Sequence, residues 1–96
     1  MMDKTIVLNF LRTHKEELAQ RYGVEKIGLF GSYAKDEQHE NSDIDLAILS
    51  SNKDFFVRDD LREFLEKSFG APVDVGYIDS FRSYYREQID KEIIYA

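Results

Sequence analysis

Apolar residues at the start of the chain recur with a helical period. Ile6, Val7, Phe10, Leu11 and Leu18 fall near one stripe between about Lys4 and Tyr22. Asp3 has the short polar side chain that caps a helix start. Gly23 suits the left-handed residue just past a helix end. Thr13 and Glu16 have capping-box spacing, so a break is expected near Thr13. Val24 to Phe30 reads as a short strand. Gly31 to about Glu37 reads as a turn followed by a short helix, and Lys35 to Asn41, with no aliphatic residue, must include a loop. From Asp43 to Leu49 the period drops to two, with Ile44, Leu46 and Ile48 on one face and Asp43, Asp45 and Ala47 on the other. A second amphipathic helix is predicted over Asp54 to Phe69, with Val57, Leu61, Phe64, Leu65 and Phe69 as its stripe. Gly70 and Pro72 stop it. Val73 to Tyr77 is a third strand. Asp79 or Ser80 is placed to cap a last helix from Arg82 to about Lys91, and Ile93, Ile94 and Tyr95 form an apolar end that docks on the body.

Helices and strands interspersed in this way predict an α+β fold, a small mixed β-sheet flanked by helices, in one domain spanning 1–96. The composition changes that picture little: 43% hydrophobic residues suffice for a globular core. No cysteine is present, which excludes disulfide scaffolds, cysteine-based zinc sites and thiol nucleophiles. No apolar run is long enough to span a membrane. The first residues lack a secretory pattern, so a cytoplasmic setting is expected. Thirteen basic against nineteen acidic residues give a net charge of −6. The basic residues are scattered, so binding to bulk nucleic acid is not expected.

The chemistry is concentrated in three aspartates and one turn. Asp43 and Asp45, two apart on a strand, leave the same face about 7 Å apart. Asp74 lies between Val73 and Val75, whose side chains point the other way. If the two strands are neighbours, all three carboxylates converge. Carboxylates so gathered repel one another unless a cation is present, and oxygen-only ligation suits Mg²⁺ or Mn²⁺ rather than zinc. The strand Ile27-Gly28-Leu29-Phe30 runs into Gly31-Ser32. Glycine there lets backbone approach a phosphate, Ser32 offers a hydroxyl, and a following helix would aim free N–H groups at the same anion. A phosphate cradle facing a divalent-metal site is the equipment for moving a phosphoryl or nucleotidyl group.

The stretches Leu29-Phe30-Gly31-Ser32-Tyr33-Ala34 and Ser42-Asp43-Ile44-Asp45-Leu46-Ala47, with ten residues between Ser32 and Asp43, resemble the signature of the DNA polymerase β-like nucleotidyltransferases, in particular their minimal nucleotidyltransferase (MNT) branch. The resemblance implies that Asp43 and Asp45 hold the metals bridging the nucleotide phosphates. Asp74 would complete the catalytic metal site and help deprotonate the attacking hydroxyl. Gly31, Ser32 and Lys35 would cradle the triphosphate of ATP. The family often carries Arg-Gly after this Gly-Ser-x-Ala stretch; Lys35-Asp36 stands here instead, which keeps the charge but loses the guanidinium fork. With sheet and helices built from 96 residues, no space for an acceptor-binding domain is expected. The MNT branch resembles the antitoxin half of a pair whose other half is a helical HEPN ribonuclease, and the implied reaction is transfer of AMP to a tyrosine of that partner. The alternative is a non-catalytic module that neutralises the partner by binding alone.

Among the remaining residues, His14 and His39 are expected to be solvated or locally hydrogen-bonded. Phe55 and Phe56 are expected in the core or as a staple, unless one is exposed as a partner anchor. Of Tyr84 and Tyr85, one is expected in packing, the alternative being contact with a partner or stacking on a base.

Overall fold

The computed structural model describes residues 2–96. Asp3 caps the first helix as expected, its carboxylate accepting from the Ile6 N–H at 2.9 Å, and helix α1 runs Lys4–Thr13. Helix α2 follows at Lys15–Tyr22 and ends on Gly23 in the left-handed conformation. The break falls at His14, but no capping box makes it. The Thr13 hydroxyl instead donates back to the Asn9 carbonyl at 2.8 Å, inside its own helix. The His14 ring stacks on Phe10 at 3.9 Å, with Nδ1 2.9 Å from the Phe10 carbonyl. That is the locally hydrogen-bonded histidine the sequence predicts.

Strand β1 is Val24–Phe30 and β2 is Ile44–Ser50. Helix α3 spans Phe55–Phe69, capped by the Asp54 carboxylate and closed by left-handed Gly70. Strand β3 is Val73–Tyr77. Its start is pinned by the Val73 N–H, which donates to Glu66 of α3 at 3.0 Å. A 3₁₀ turn at Ile78–Ser80 comes next, then α4 at Ser83–Glu92. Neither Asp79 nor Ser80 caps α4: the 3₁₀ turn uses them, and Arg82 stands at the cap position with no side-chain bond. The Arg86 guanidinium ties α4 back to the Ile78 carbonyl at 2.9 Å. The apolar end docks as a short strand, β4 (Ile94–Tyr95).

The sheet order is β3-β2-β1-β4. β1 pairs antiparallel with β2 and β4, and β2 pairs parallel with β3. This is the mixed sheet of an α+β fold. On one face, Leu29, Leu46 and Val75 form one cross-strand row and Ile27, Ile48 and Tyr77 the next. Val7 and Leu11 of α1, Leu18 of α2, and Leu61 and Leu65 of α3 are wholly buried in the same core cluster. Large apolar groups here face closely packed neighbours on every side, which is the main favourable term in folding.

The opposite face is built differently. Gly28, Ala47 and Gly76 lie side by side across β1, β2 and β3. This row of small residues leaves space for a second layer. A Cβ at Gly28 would stand 2.6 Å from Ile93, and one at Gly76 would stand 2.7 Å from Phe81. The segment from Phe81 to Tyr95 therefore lies over this row, and Ala47 is fully buried although it shares a face with Asp45. Phe55 and Phe56 depart from expectation: they are 61% and 76% exposed, because α3 turns its Leu61–Leu65 stripe inward and its first turn outward. Tyr84 and Tyr85 are both exposed and stack on each other at 4.4 Å.

Candidate active site

One residue pair further along the same face, the row changes from small to acidic. Phe30, Asp45 and Asp74 are register partners on β1, β2 and β3. Parallel neighbours in register put the two residues' backbones about 4.8 Å apart, with both side chains on the same side of the sheet. Asp43 precedes β2 and is exposed; Asp74, on the edge strand, is exposed too, whereas Asp45 is half-buried between them. Burial raises the Asp45 carboxyl first, and the like charges of Asp74, Asp43 and Glu92 raise it further, to about 6. As placed, no three His, Cys, Asp or Glu side chains among the described residues are gathered closely enough to ligate one ion. The donor set nevertheless fits a hard divalent cation: its ligands are all oxygen, and its central carboxylate is raised by uncompensated like charge, which such a cation would relieve.

β1 ends in the turn that carries Gly31. Gly31 has φ +77, and a Cβ there would run into the Asp45 carboxylate. The glycine is thus what allows backbone and carboxylate to approach each other. The short helix expected after Ser32 does not form. A single helical turn is closed instead, by Asp36 N–H to the Tyr33 carbonyl at 3.3 Å and Glu37 N–H to the Ser32 carbonyl at 2.9 Å. This is a Schellman closure, with Asp36 at the left-handed position (φ 56) where glycine is usual. Buried Tyr33 and Ala34 anchor the turn in the core, and Lys4 of α1 holds Asp36 at 3.0 Å. Asp36→Gly is expected to remove the left-handed penalty while losing an exposed ion pair of small value, for a net gain of about 0.5 kcal/mol. A rise of a few degrees in the melting temperature by circular dichroism checks it.

A cavity of about 370 Å³ opens over the acidic row, walled by Phe30, Gly31, Asp45, Asp74, Phe81, Tyr85 and Glu92 among others. Of the residues the sequence points to, Gly31, Asp45 and Asp74 line it; Ser32, Lys35 and Asp43 do not. Sequence reasoning missed Glu92. Its carboxylate accepts from the Gly31 N–H at 3.0 Å and lies 3.5 Å from the Lys35 ammonium. The available signal was an acidic residue in the last turn of a helix, where the helix dipole disfavours it, directly before an apolar run.

An oxygen-ligand row beside a glycine turn that offers a backbone N–H is suited to holding a charged phosphate chain near a cation. Comparison with known proteins decides the family. Residues 11–96 match the nucleotidyltransferase domain. The chain belongs to this family. It is 35% identical over 92 residues to the protein adenylyltransferase MntA of Thermococcus cleftensis, covering 92% of this chain and 90% of that one. It superposes on a protein from the crystal structure of a toxin–antitoxin with AMP-PNP with TM-score 0.72 and 26% identity, covering 98% of this chain and 72% of that one. Its fold is also that of a chain from the complex of a tri-AMPylated Shewanella oneidensis HEPN toxin with an MNT antitoxin (TM-score 0.70, 22% identity, 96% of this chain and 70% of that one). The β1 turn and the Asp45–Asp74 pair both lie within the matched stretch. Among the described residues no helix is long and apolar enough to cross a membrane.

Proposed function

We propose that this nucleotidyltransferase is a metal-dependent protein adenylyltransferase: it transfers AMP from ATP to a tyrosine hydroxyl of a partner HEPN ribonuclease and so acts as an antitoxin. The observation that carries this reading is the Phe30–Asp45–Asp74 row beside Gly31. Asp43, Asp45 and Asp74 would hold Mg²⁺ or Mn²⁺, which when bound neutralises phosphate charge and positions the reacting oxygens. The Gly31 N–H, the Ser32 hydroxyl and the Lys35 ammonium donate to the phosphates. Asp74, on the sheet edge and exposed, faces the acceptor and takes the hydroxyl proton. The tyrosine oxygen then bonds to the α-phosphorus as the bond to pyrophosphate breaks, and pyrophosphate leaves.

Two features support a macromolecular acceptor. Exposed aromatics flank Asp74 on both sides: Phe55 shares one shallow cavity with it, and Tyr85 shares the other. Such residues are the usual anchors of protein interfaces. The net charge of −6 also suits a basic, RNA-cleaving partner. Intact-mass spectrometry of the partner encoded beside this protein, after incubation with ATP and Mg²⁺, is expected to show added adenylyl groups. Partner mass unchanged by the wild-type protein would refute the reading.

A second reading, neutralisation by binding alone, is favoured by one feature. Lys35 replaces a bidentate arginine and is shared between Glu37 and Glu92. On that reading Asp45→Asn protects cells from the partner as well as the wild type does.

A further inference from the structure

The Glu92 carboxylate sits on the donors that a nucleotide phosphate would use. It accepts from the Gly31 N–H at 3.0 Å and pairs with Lys35 at 3.5 Å, and its side chain is only 14% exposed. It lines the same cavity as Asp45 and Asp74, and its charge helps to raise the Asp45 carboxyl. Everything else about its position is unfavourable to an anion. It is the last residue of α4, at the negative end of the helix dipole. The half-buried Asp45 carboxyl, itself close to Asp74 and Asp43, feels its charge. What offsets this is the turn after β1, whose Gly31 N–H and Lys35 ammonium both face the carboxylate.

We propose that Glu92 is a built-in stand-in for a nucleotide phosphate. It occupies the turn at Gly31 and Lys35, must swing away before ATP seats, and thereby sets the affinity for ATP. The proposal rests on the nucleotidyltransferase reading and specifies how that site is guarded. The swing requires little of the fold. Glu92 ends its helix, Ile93 is already extended (φ −67, ψ 136), and β4 holds the chain independently through the Ala96 N–H to the Ile27 carbonyl at 2.9 Å.

Glu92→Gln tests this, because the amide oxygen still accepts from Gly31 while the charge is gone. Calorimetric titration with Mg·ATP is expected to show binding about tenfold tighter in the variant than in the wild type, since a like charge beside the phosphates has been removed. A residue that only braces the turn would give equal or weaker binding. That result would overturn the inference and, provided the wild type binds, leave the nucleotidyltransferase reading intact. No heat from either protein would overturn both. Should the variant fail to fold, the wild type still decides. The Glu92 carboxyl carbon resonance is expected to shift on saturation with Mg·ATP, and an unmoved resonance in the nucleotide-bound protein contradicts the proposal.

Discussion

Asp45→Asn is expected to lower adenylyl transfer by about 10³-fold and, at the same time, to make the metal-free protein more stable above pH 6. The two effects share one cause. Asp45 is the central carboxylate of the row, with Asp74 beside it in register and the charges of Asp43 and Glu92 in reach. Activity needs that negative charge to hold the cation. Without a balancing cation the same charge is unfavourable. The sign follows from linkage: the folded carboxyl titrates at about 6 against 3.8 for a free one, so the unfolded chain holds the charge more readily. Asp45 therefore costs nothing below the unfolded value, costs progressively more between the two values, and carries its full cost above pH 6. The gap corresponds nominally to about 3 kcal/mol, and solvent around a half-buried group reduces it to on the order of 1 kcal/mol. Urea melts of both proteins from pH 3.5 to 8 check this. The stability difference should be near zero at the acid end, grow through pH 4–6 and level off. Millimolar Mg²⁺ should then stabilise the wild type and leave the variant unmoved. A difference that is constant with pH would mean that the row imposes no electrostatic cost.

Gly31→Ala is expected to lose about 2–3 kcal/mol of stability and at least 10²-fold in transfer. The backbone there has φ +77, which costs any residue with a Cβ about 1–2 kcal/mol. The added carbon also meets the Asp45 carboxylate, with the carboxyl carbon only 3.1 Å away. The carboxylate or the turn must move, and either displacement separates the phosphate donors from the metal ligands. Gly70 provides the control. It has φ +66 but nothing within 4 Å of its would-be Cβ, so Gly70→Ala should pay the backbone penalty alone, about 1 kcal/mol, and retain activity. Thermal melts and transfer assays on the pair separate conformational cost from collision. Equal losses in the two variants would show that Gly31 is needed only as a turn residue.

Much of this site is legible in the chain because period-two alternation fixes faces. Ile44, Leu46 and Ile48 must be inside, so Asp45 must point the other way, and Val73 and Val75 say the same of Asp74. β1 and β3 run where the apolar patterns place them, Val24–Phe30 and Val73–Tyr77. What local pattern does not encode is tertiary. The in-register pairing of Asp45 with Asp74 depends on β2 and β3 being parallel neighbours, a property of the whole topology. Glu92 lies 61 residues from the N–H it binds, within a polar helix whose sequence reads as a solvated face. The missing helix after Ser32 has a local cause that composition hides: Asp36 takes the left-handed position and closes the turn after one circuit. The outward turn of Phe55 and Phe56 was equally hidden, since hydrophobic residues at a helix start are as compatible with a staple as with an exposed platform.

The central claim is that the β1 turn and the β2–β3 carboxylates form one nucleotide site. A crystal structure of the protein with Mg²⁺ and a non-hydrolysable ATP analogue tests it most directly. Phosphates are expected against Gly31 and Ser32, with Mg²⁺ held by Asp43, Asp45 and Asp74, and Glu92 turned away from the Gly31 N–H. A nucleotide bound elsewhere, or phosphates in the cavity with no ion on Asp45, would contradict it.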